Sequence, residues 1–206
     1  MRTRYLTSEK NDRLIKSMRT FIAIELPAEI KDYLSQLQGE LKTCGADVKW
    51  VEPKNIHLTL KFLGEVGDEK LDKITQIIQD VASEKNRFPL CICSLGAFPR
   101  IESPRVIWVG VDSGDKETEQ IAKELEEKIS GIGIPKEDRV FSCHITIGRI
   151  RTPHNREKLV RILKDKTGSG GKNLEFEVNK ITLFKSTLTP KGPLYEALKE
   201  AILKTT

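Results

Sequence analysis

"NIHLTLKFLG" (55–64) and "CHITIG" (143–148) decide how this chain is read. The protein holds three histidines, and two of them stand in the same setting. His57 and His144 are each followed two residues on by a threonine, Thr59 and Thr146, with aliphatic residues between and beyond. Side chains of a strand alternate between its two faces. As strands, the segments put His57, Thr59 and Lys61 on one face with Leu58, Leu60 and Phe62 on the other, and His144 with Thr146 opposite Ile145 and Ile147. Each strand then turns an aliphatic face to a core and presents an imidazole and a hydroxyl on its other side.

Working outward, the same order of elements occurs twice. "TFIAIEL" (20–26) reads as a strand, Pro27 opens a helix carrying Ile30, Leu34, Leu37 and Leu41, a short strand lies near 48–51, and the first motif strand follows. Asp68 is placed to cap a helix with Leu71, Ile74, Ile78 and Val81 on one face, and "RFPLCICSL" (87–95) reads as a strand. The second half gives the strand "RVIWVGV" (105–111), a helix with Ile121, Leu125 and Ile129 that ends at Gly131, the second motif strand, and a helix opened by Thr152-Pro153. After the flexible loop "TGSGGKN" (167–173), "LEFEVNKITLFKSTL" reads as one long strand or a pair, and Gly192-Pro193 is expected to begin a last helix. His57 and His144 lie 87 residues apart, and Arg19 and Arg105 lie 86 apart. A near-constant offset of that size implies two similar lobes with one motif in each, built as α+β units around sheets.

Composition limits the remaining possibilities. Hydrophobic residues make up 38% and charged residues 32%, the balance of a globular chain. No apolar run approaches the ~20 residues that span a bilayer, and "MRTRYLTSEKNDRLIKSM" has no apolar stretch of signal-peptide length. A cytoplasmic location is expected, with no membrane association. Residues 1–18 are expected to form an extension or to follow an upstream start, leaving 19–206 as one bilobal domain. That extension carries +3 of the net charge of +5, so an anion-binding surface elsewhere must be local. Cys44, Cys91, Cys93 and Cys143 show no disulfide framework and are expected as free thiols. Cys91 and Cys93 do not have the usual spacing of a zinc knuckle, and neither metal nor cofactor is expected.

Two imidazoles titrate near neutral pH, so one can accept a proton while the other donates one. Two threonine hydroxyls can donate to oxygens on which negative charge develops. This set suits cleavage of a phosphodiester, where an attacking nucleophile loses a proton as a leaving oxygen gains one. A cysteine nucleophile fits worse, because Cys143 adjoins His144 and should point to the opposite face. Trp50 and Trp108 are assigned to packing or to the lobe edges. Lys61 shares the face of His57 and could meet a backbone phosphate, and Phe21 could stack on a base, although core packing suits it better.

These residues resemble the two-histidine phosphoesterase superfamily and, within it, the LigT-like RNA 2′,3′-cyclic phosphodiesterases, first called 2′-5′ RNA ligases. "RTFIAIELP", "NIHLTLKFLGEV", "SPRVIWVGV", "HITIGR" and "ITLFKSTLTPKGPLYEAL" are similar to family segments in family order, over about residues 19–206. Cys143 departs from the pattern, since proline commonly precedes the second histidine. The resemblance implies two pseudo-symmetric lobes, each a mainly antiparallel sheet with helices on its outer face, enclosing a V-shaped cleft. It implies metal-free hydrolysis of an RNA 2′,3′-cyclic phosphate to a 2′-phosphate; a monomer is expected. By the same resemblance His57 is the proton donor, His144 the proton acceptor, and Thr59 and Thr146 bind the non-bridging oxygens. Arg149 stands where the family often has arginine and is expected to reach phosphate. The residues alone leave open which histidine is acid, and they leave open a ligase running the reverse step on tRNA halves or a non-catalytic RNA or nucleotide binder.

Overall fold

In a computed structural model, residues 17–168, 174–190 and 192–205 are described. The expectations for segment 1–16 and for most of the "TGSGGKN" loop lie outside the described residues. The described residues form two antiparallel sheets and four α-helices. The first sheet has the order β3 (His57–Gly67), β1 (Ser17–Glu25), β8 (Lys180–Thr189), β9 (Gly192–Ile202). The second has the order β2 (Val48–Trp50), β6 (His144–Ile150), β5 (Val106–Ser113), β4 (Phe88–Phe98), β7 (Leu174–Val178). Each sheet thus holds one motif strand. No helix among the described residues is long and apolar enough to cross a membrane.

The lobes in space are not the halves of the sequence. β4, from the first half, pairs with β5 of the second, and β8, from the second half, pairs with β1 of the first. Each half lends the other two strands, β2 and β4 in one direction and β8 and β9 in the other, so neither sheet can close without both.

The helices sit against the aliphatic faces. α2 (Asp68–Glu84) lies on β3, β8 and β9, α4 (Arg156–Gly168) lies on β4, and α3 (Asp115–Ser130) touches β3 of one sheet and β5 of the other. One continuous core joins Ile22, Leu58 and Leu60 of the first sheet to Ile107, Ile145 and Ile147 of the second. Burying a side chain of this size contributes roughly 1.5–3 kcal/mol, so the two lobes are held as one body. In α1 (Ala28–Lys42) the buried stripe is Ile30, Leu34, Gln38 and Leu41, with Leu37 only partly covered. Gln38 is tolerated there because its amide donates to the carbonyls of Val51 and Ile147, both at 2.8 Å.

The expected last helix is a strand. "GPLYEALKEAI" is rich in helix formers, yet β9 pairs with β8 along its whole length, from Gly192 against Thr189 to Ile202 against Lys180. A hairpin partner supplies every ladder bond at once, and tertiary pairing of that extent overrides intrinsic propensity. The stretch before it resolves into the pair β7 and β8, divided at Asn179. The helix expected after Thr152-Pro153 starts later, at Arg156, because Asn155 takes a positive φ of 50° and cannot belong to the first turn.

Candidate active site

β3 begins at His57, directly after a single 3-10 turn at Pro53–Asn55. Asn55 is buried, and its amide donates to the carbonyl of Pro193 at the start of β9 (2.8 Å). Its own carbonyl lies 2.7 Å from His57 Nδ1. A carbonyl can only accept, so Nδ1 carries the proton and Nε2 is left as the nitrogen able to exchange one. The second lobe repeats the device: His144 opens β6, and its Nδ1 donates to the carbonyl of Ser142 at 2.7 Å. Both rings are thereby held in one tautomer by the backbone two residues upstream.

Aromatic rings wall both imidazoles. Phe21 lies 4.8 Å from the His57 ring, centre to centre, and Tyr195 meets it edge-on at 5.4 Å. Phe98 meets the His144 ring edge-on at 5.0 Å, with Trp108 at 6.4 Å. Burial lowers the pKa of both histidines below the ordinary value. The hydrogen bonds to Asn55 and Ser142 oppose this, while the cations Lys31, at His57, and Arg149, at His144, add to it. The Cys143 thiol beside the second motif packs against the core, and burial pushes it up to about 12, far from a thiolate nucleophile.

The two motif strands also share an irregularity. Pairing against the neighbouring strand skips Leu60 in β3 and Ile147 in β6, in each case the residue after the motif threonine. A bulge of one residue reverses the alternation of faces beyond it. Beyond Leu60 the expected facing is therefore inverted. Lys61 is fully buried with its ammonium 2.5 Å from Glu126, and Phe62 is 51% exposed. The expectation that Lys61 meets substrate is corrected on this ground. Beyond Ile147 the same inversion brings Arg149 out to an exposed position, on the side of His144 and Thr146. Phe21 is 3% exposed, stacked on Phe184 and tilted against the His57 ring, so it supports the imidazole rather than offering a face to a base.

Thr59 and Thr146 are part-buried, and no hydrogen bond to the protein engages either hydroxyl among the described residues. The two motif strands belong to different sheets but lie against each other. Arg149 of the second sheet bears electrostatically on His144 and also on Tyr195 of the first, and Tyr195 in turn abuts His57. The second motif is thus linked to the first through Arg149 and Tyr195. Beside His57 a pocket of about 380 Å³ opens, with Lys31 and Tyr195 among its lining. Arg19, also felt by Tyr195, is exposed and forms no ion pair among the described residues.

Sequence patterns did not point to Asn55, Tyr195, Lys31, Arg19 or Phe98. Asn55 had the best signal, a turn-forming residue two positions before a motif histidine. Tyr195 had none, because it stands on a strand that reads as a helix.

A family model described as LigT-like phosphoesterase matches residues 24–108 and again 109–195. The chain is 41% identical over 184 residues to an RNA 2′,3′-cyclic phosphodiesterase of Methanocaldococcus jannaschii, covering 89% of this chain and 99% of that one. It is 35% identical over 193 residues to a protein of the same name from Aquifex aeolicus, covering 92% and 99%. Among solved structures it is similar to TT0787 of Thermus thermophilus, with a TM-score of 0.76, 28% identity, and 91% and 99% of the two chains covered. It is also similar to E. coli LigT complexed with 3′-AMP, with a TM-score of 0.73, 25% identity, and 92% and 99% covered.

Proposed function

Because the chain belongs to the LigT-like phosphoesterase family, we propose that it hydrolyses RNA 2′,3′-cyclic phosphodiester ends to 2′-phosphomonoesters by acid–base catalysis with two histidines. The observation that carries this is the duplicated restraint of the rings: Nδ1 of each is tied to a carbonyl at 2.7 Å, which reserves both Nε2 atoms for proton transfer. Water attacks phosphorus, and Nε2 of neutral His144 takes its proton. The bond from phosphorus to the 3′ oxygen breaks, and Nε2–H of protonated His57 supplies that oxygen with a proton. Thr59 and Thr146 donate to the non-bridging oxygens, where their unengaged hydroxyls cost no internal bond. Arg149, and Arg19 across the cleft, favour the anionic substrate. Both motifs come from one chain, which supports a monomeric active unit, and no step calls for a metal. Curated relatives across most of the chain carry the name of this activity.

The test is the rate against pH together with the two alanine variants. His57→Ala and His144→Ala should each lose at least about a hundredfold in kcat, the lower range for general acid–base catalysis. EDTA should leave the rate unchanged. Since burial lowers both imidazoles in the free enzyme, the bell for kcat/KM should peak on the acid side of the ordinary histidine value of 6.5. A wild-type rate from His144→Ala removes the mechanism. Joining of tRNA halves with no release of 2′-phosphate would instead favour the ligase.

A further inference from the structure

The pocket beside His57 is larger than a phosphate needs. Its volume of about 380 Å³ falls in the range of sites that hold whole small molecules. Its lining comes from the front of the first sheet, from α1 and from the 53–55 turn, so it opens on the His57 side of the cleft. Under the proposed mechanism that is the side of the departing 3′ oxygen, hence of the ribose and its base, with water approaching from His144. Phe184 and Tyr195 give it aromatic lining, Phe21 adds only the small edge left uncovered beside His57, and Leu194 forms an exposed apolar rim.

Glu25 is the carboxylate in this lining, directly opposite His57 in the pairing of β1 with β3. Its surroundings are one-sided. Lys180 Nζ reaches Oε2 at 2.9 Å, and Thr182 Oγ1 donates to the same oxygen at 3.4 Å. Oε1 has no partner among the described residues. Lys180, which also pairs with Glu200 at 2.6 Å, offsets part of the charge that would repel an anionic ligand, and the buried Thr182 hydroxyl holds the same oxygen. An ionised carboxylate can only accept hydrogen bonds. A base that turns an exocyclic amine toward Oε1 gains a bond, while uracil offers its O4 carbonyl at the same edge and sets two acceptors against each other.

We propose that this pocket is a nucleobase site that favours bases with an exocyclic amine at this edge (cytosine, adenine) over uracil, with Glu25 Oε1 as the reading acceptor. The inference rests on the cyclic phosphodiesterase activity proposed above. Cytidine and uridine 2′,3′-cyclic monophosphates test it, because their rings are of equal size and differ at this edge. The wild-type protein should show kcat/KM about tenfold higher for the cytidine substrate, the discrimination of one specific base contact. Glu25→Gln, whose amide can donate to O4 as well as accept, should bring the ratio close to one. A ratio of rates does not depend on the fraction of protein that folds. An even ratio in the wild type, or an unchanged ratio in Glu25→Gln, overturns the base site while the phosphodiesterase stands. If the wild type turns over neither substrate, the phosphodiesterase proposal fails instead. Calorimetric titration with cytidine and uridine 2′-monophosphates then decides the pocket, tighter cytidine binding supporting it and equal binding overturning it.

Discussion

The two motif strands match as far as the bulge and then diverge. In both, a carbonyl two residues upstream fixes the imidazole, a threonine follows at the second position, and the next residue is skipped in the pairing. The residue after the bulge is Lys61 in β3 and Gly148 in β6. Lys61 runs inward to Glu126 of α3, whose other oxygen accepts the Glu137 N–H at 2.8 Å, and the Glu137 carboxylate accepts the Phe62 N–H at 3.0 Å. That chain of bonds ties the first motif strand to the segment leading into the second. Gly148 is bare for a different reason: a Cβ there would stand 2.9 Å from Val48 and 3.0 Å from the Trp50 ring, so β2 packs directly on its backbone. One position further, β3 shows Phe62 and β6 shows Arg149, both exposed. The groups assigned to catalysis are duplicated, whereas the exposed position beyond the bulge is not: it carries apolar surface in β3 and charge in β6.

Removing either threonine hydroxyl tests the duplicated part. Thr59→Val and Thr146→Val should each lower kcat by about a hundredfold, the loss expected for one donor to a developing oxyanion. Equal losses keep the symmetry; a loss confined to one variant breaks it and assigns the charge to a single lobe. The inward lysine should act on folding first. Lys61→Met leaves Glu126 without its cation in a half-covered setting and should cost about 3 kcal/mol in urea unfolding. Removing the carboxylate as well, in the double variant Lys61→Met with Glu126→Leu, should restore much of that loss, because a paired charge is replaced by apolar packing. Arg149→Ala, on the outward side, should leave stability intact and raise KM about tenfold through loss of a charged hydrogen bond to phosphate.

Much of this arrangement was legible in the two short motifs. Alternation placed His57, Thr59, His144 and Thr146 on the polar side of aliphatic strands because the period of two holds up to the threonine. It misplaced Lys61 and Phe62 because a bulge leaves no mark in one sequence: nothing in "TLKFL" announces that Leu60 will be skipped. Gln38 escaped notice because Leu37 offered a better apolar stripe, and only the folded chain brings two carbonyls within reach of its amide. β9 was hidden by its composition, and Tyr195 with it. The exchange of β2 and β4 for β8 and β9 between sheets was equally invisible, since a repeat in sequence specifies which strands resemble each other and not which ones pair.

The smallest effect bears on the assignment that symmetry makes hardest. Both rings are lowered by burial, and each is lowered further by its own cation, Lys31 at His57 and Arg149 at His144. Deleting a cation should raise the pKa of its own histidine. Where the donor His57 titrates above the acceptor His144, Lys31→Ala raises the pKa of the group that must be protonated, so the alkaline limb of the kcat/KM profile moves to higher pH and the acid limb stays. Arg149→Ala raises the pKa of the group that must be neutral, so the acid limb moves to higher pH and the alkaline limb stays. The two substitutions therefore shift opposite limbs in the same direction, one widening the bell and the other narrowing it. Measured on a substrate whose phosphodiester does not titrate in this range, the reverse pattern would exchange the roles of the two histidines while leaving the two-histidine scheme in place.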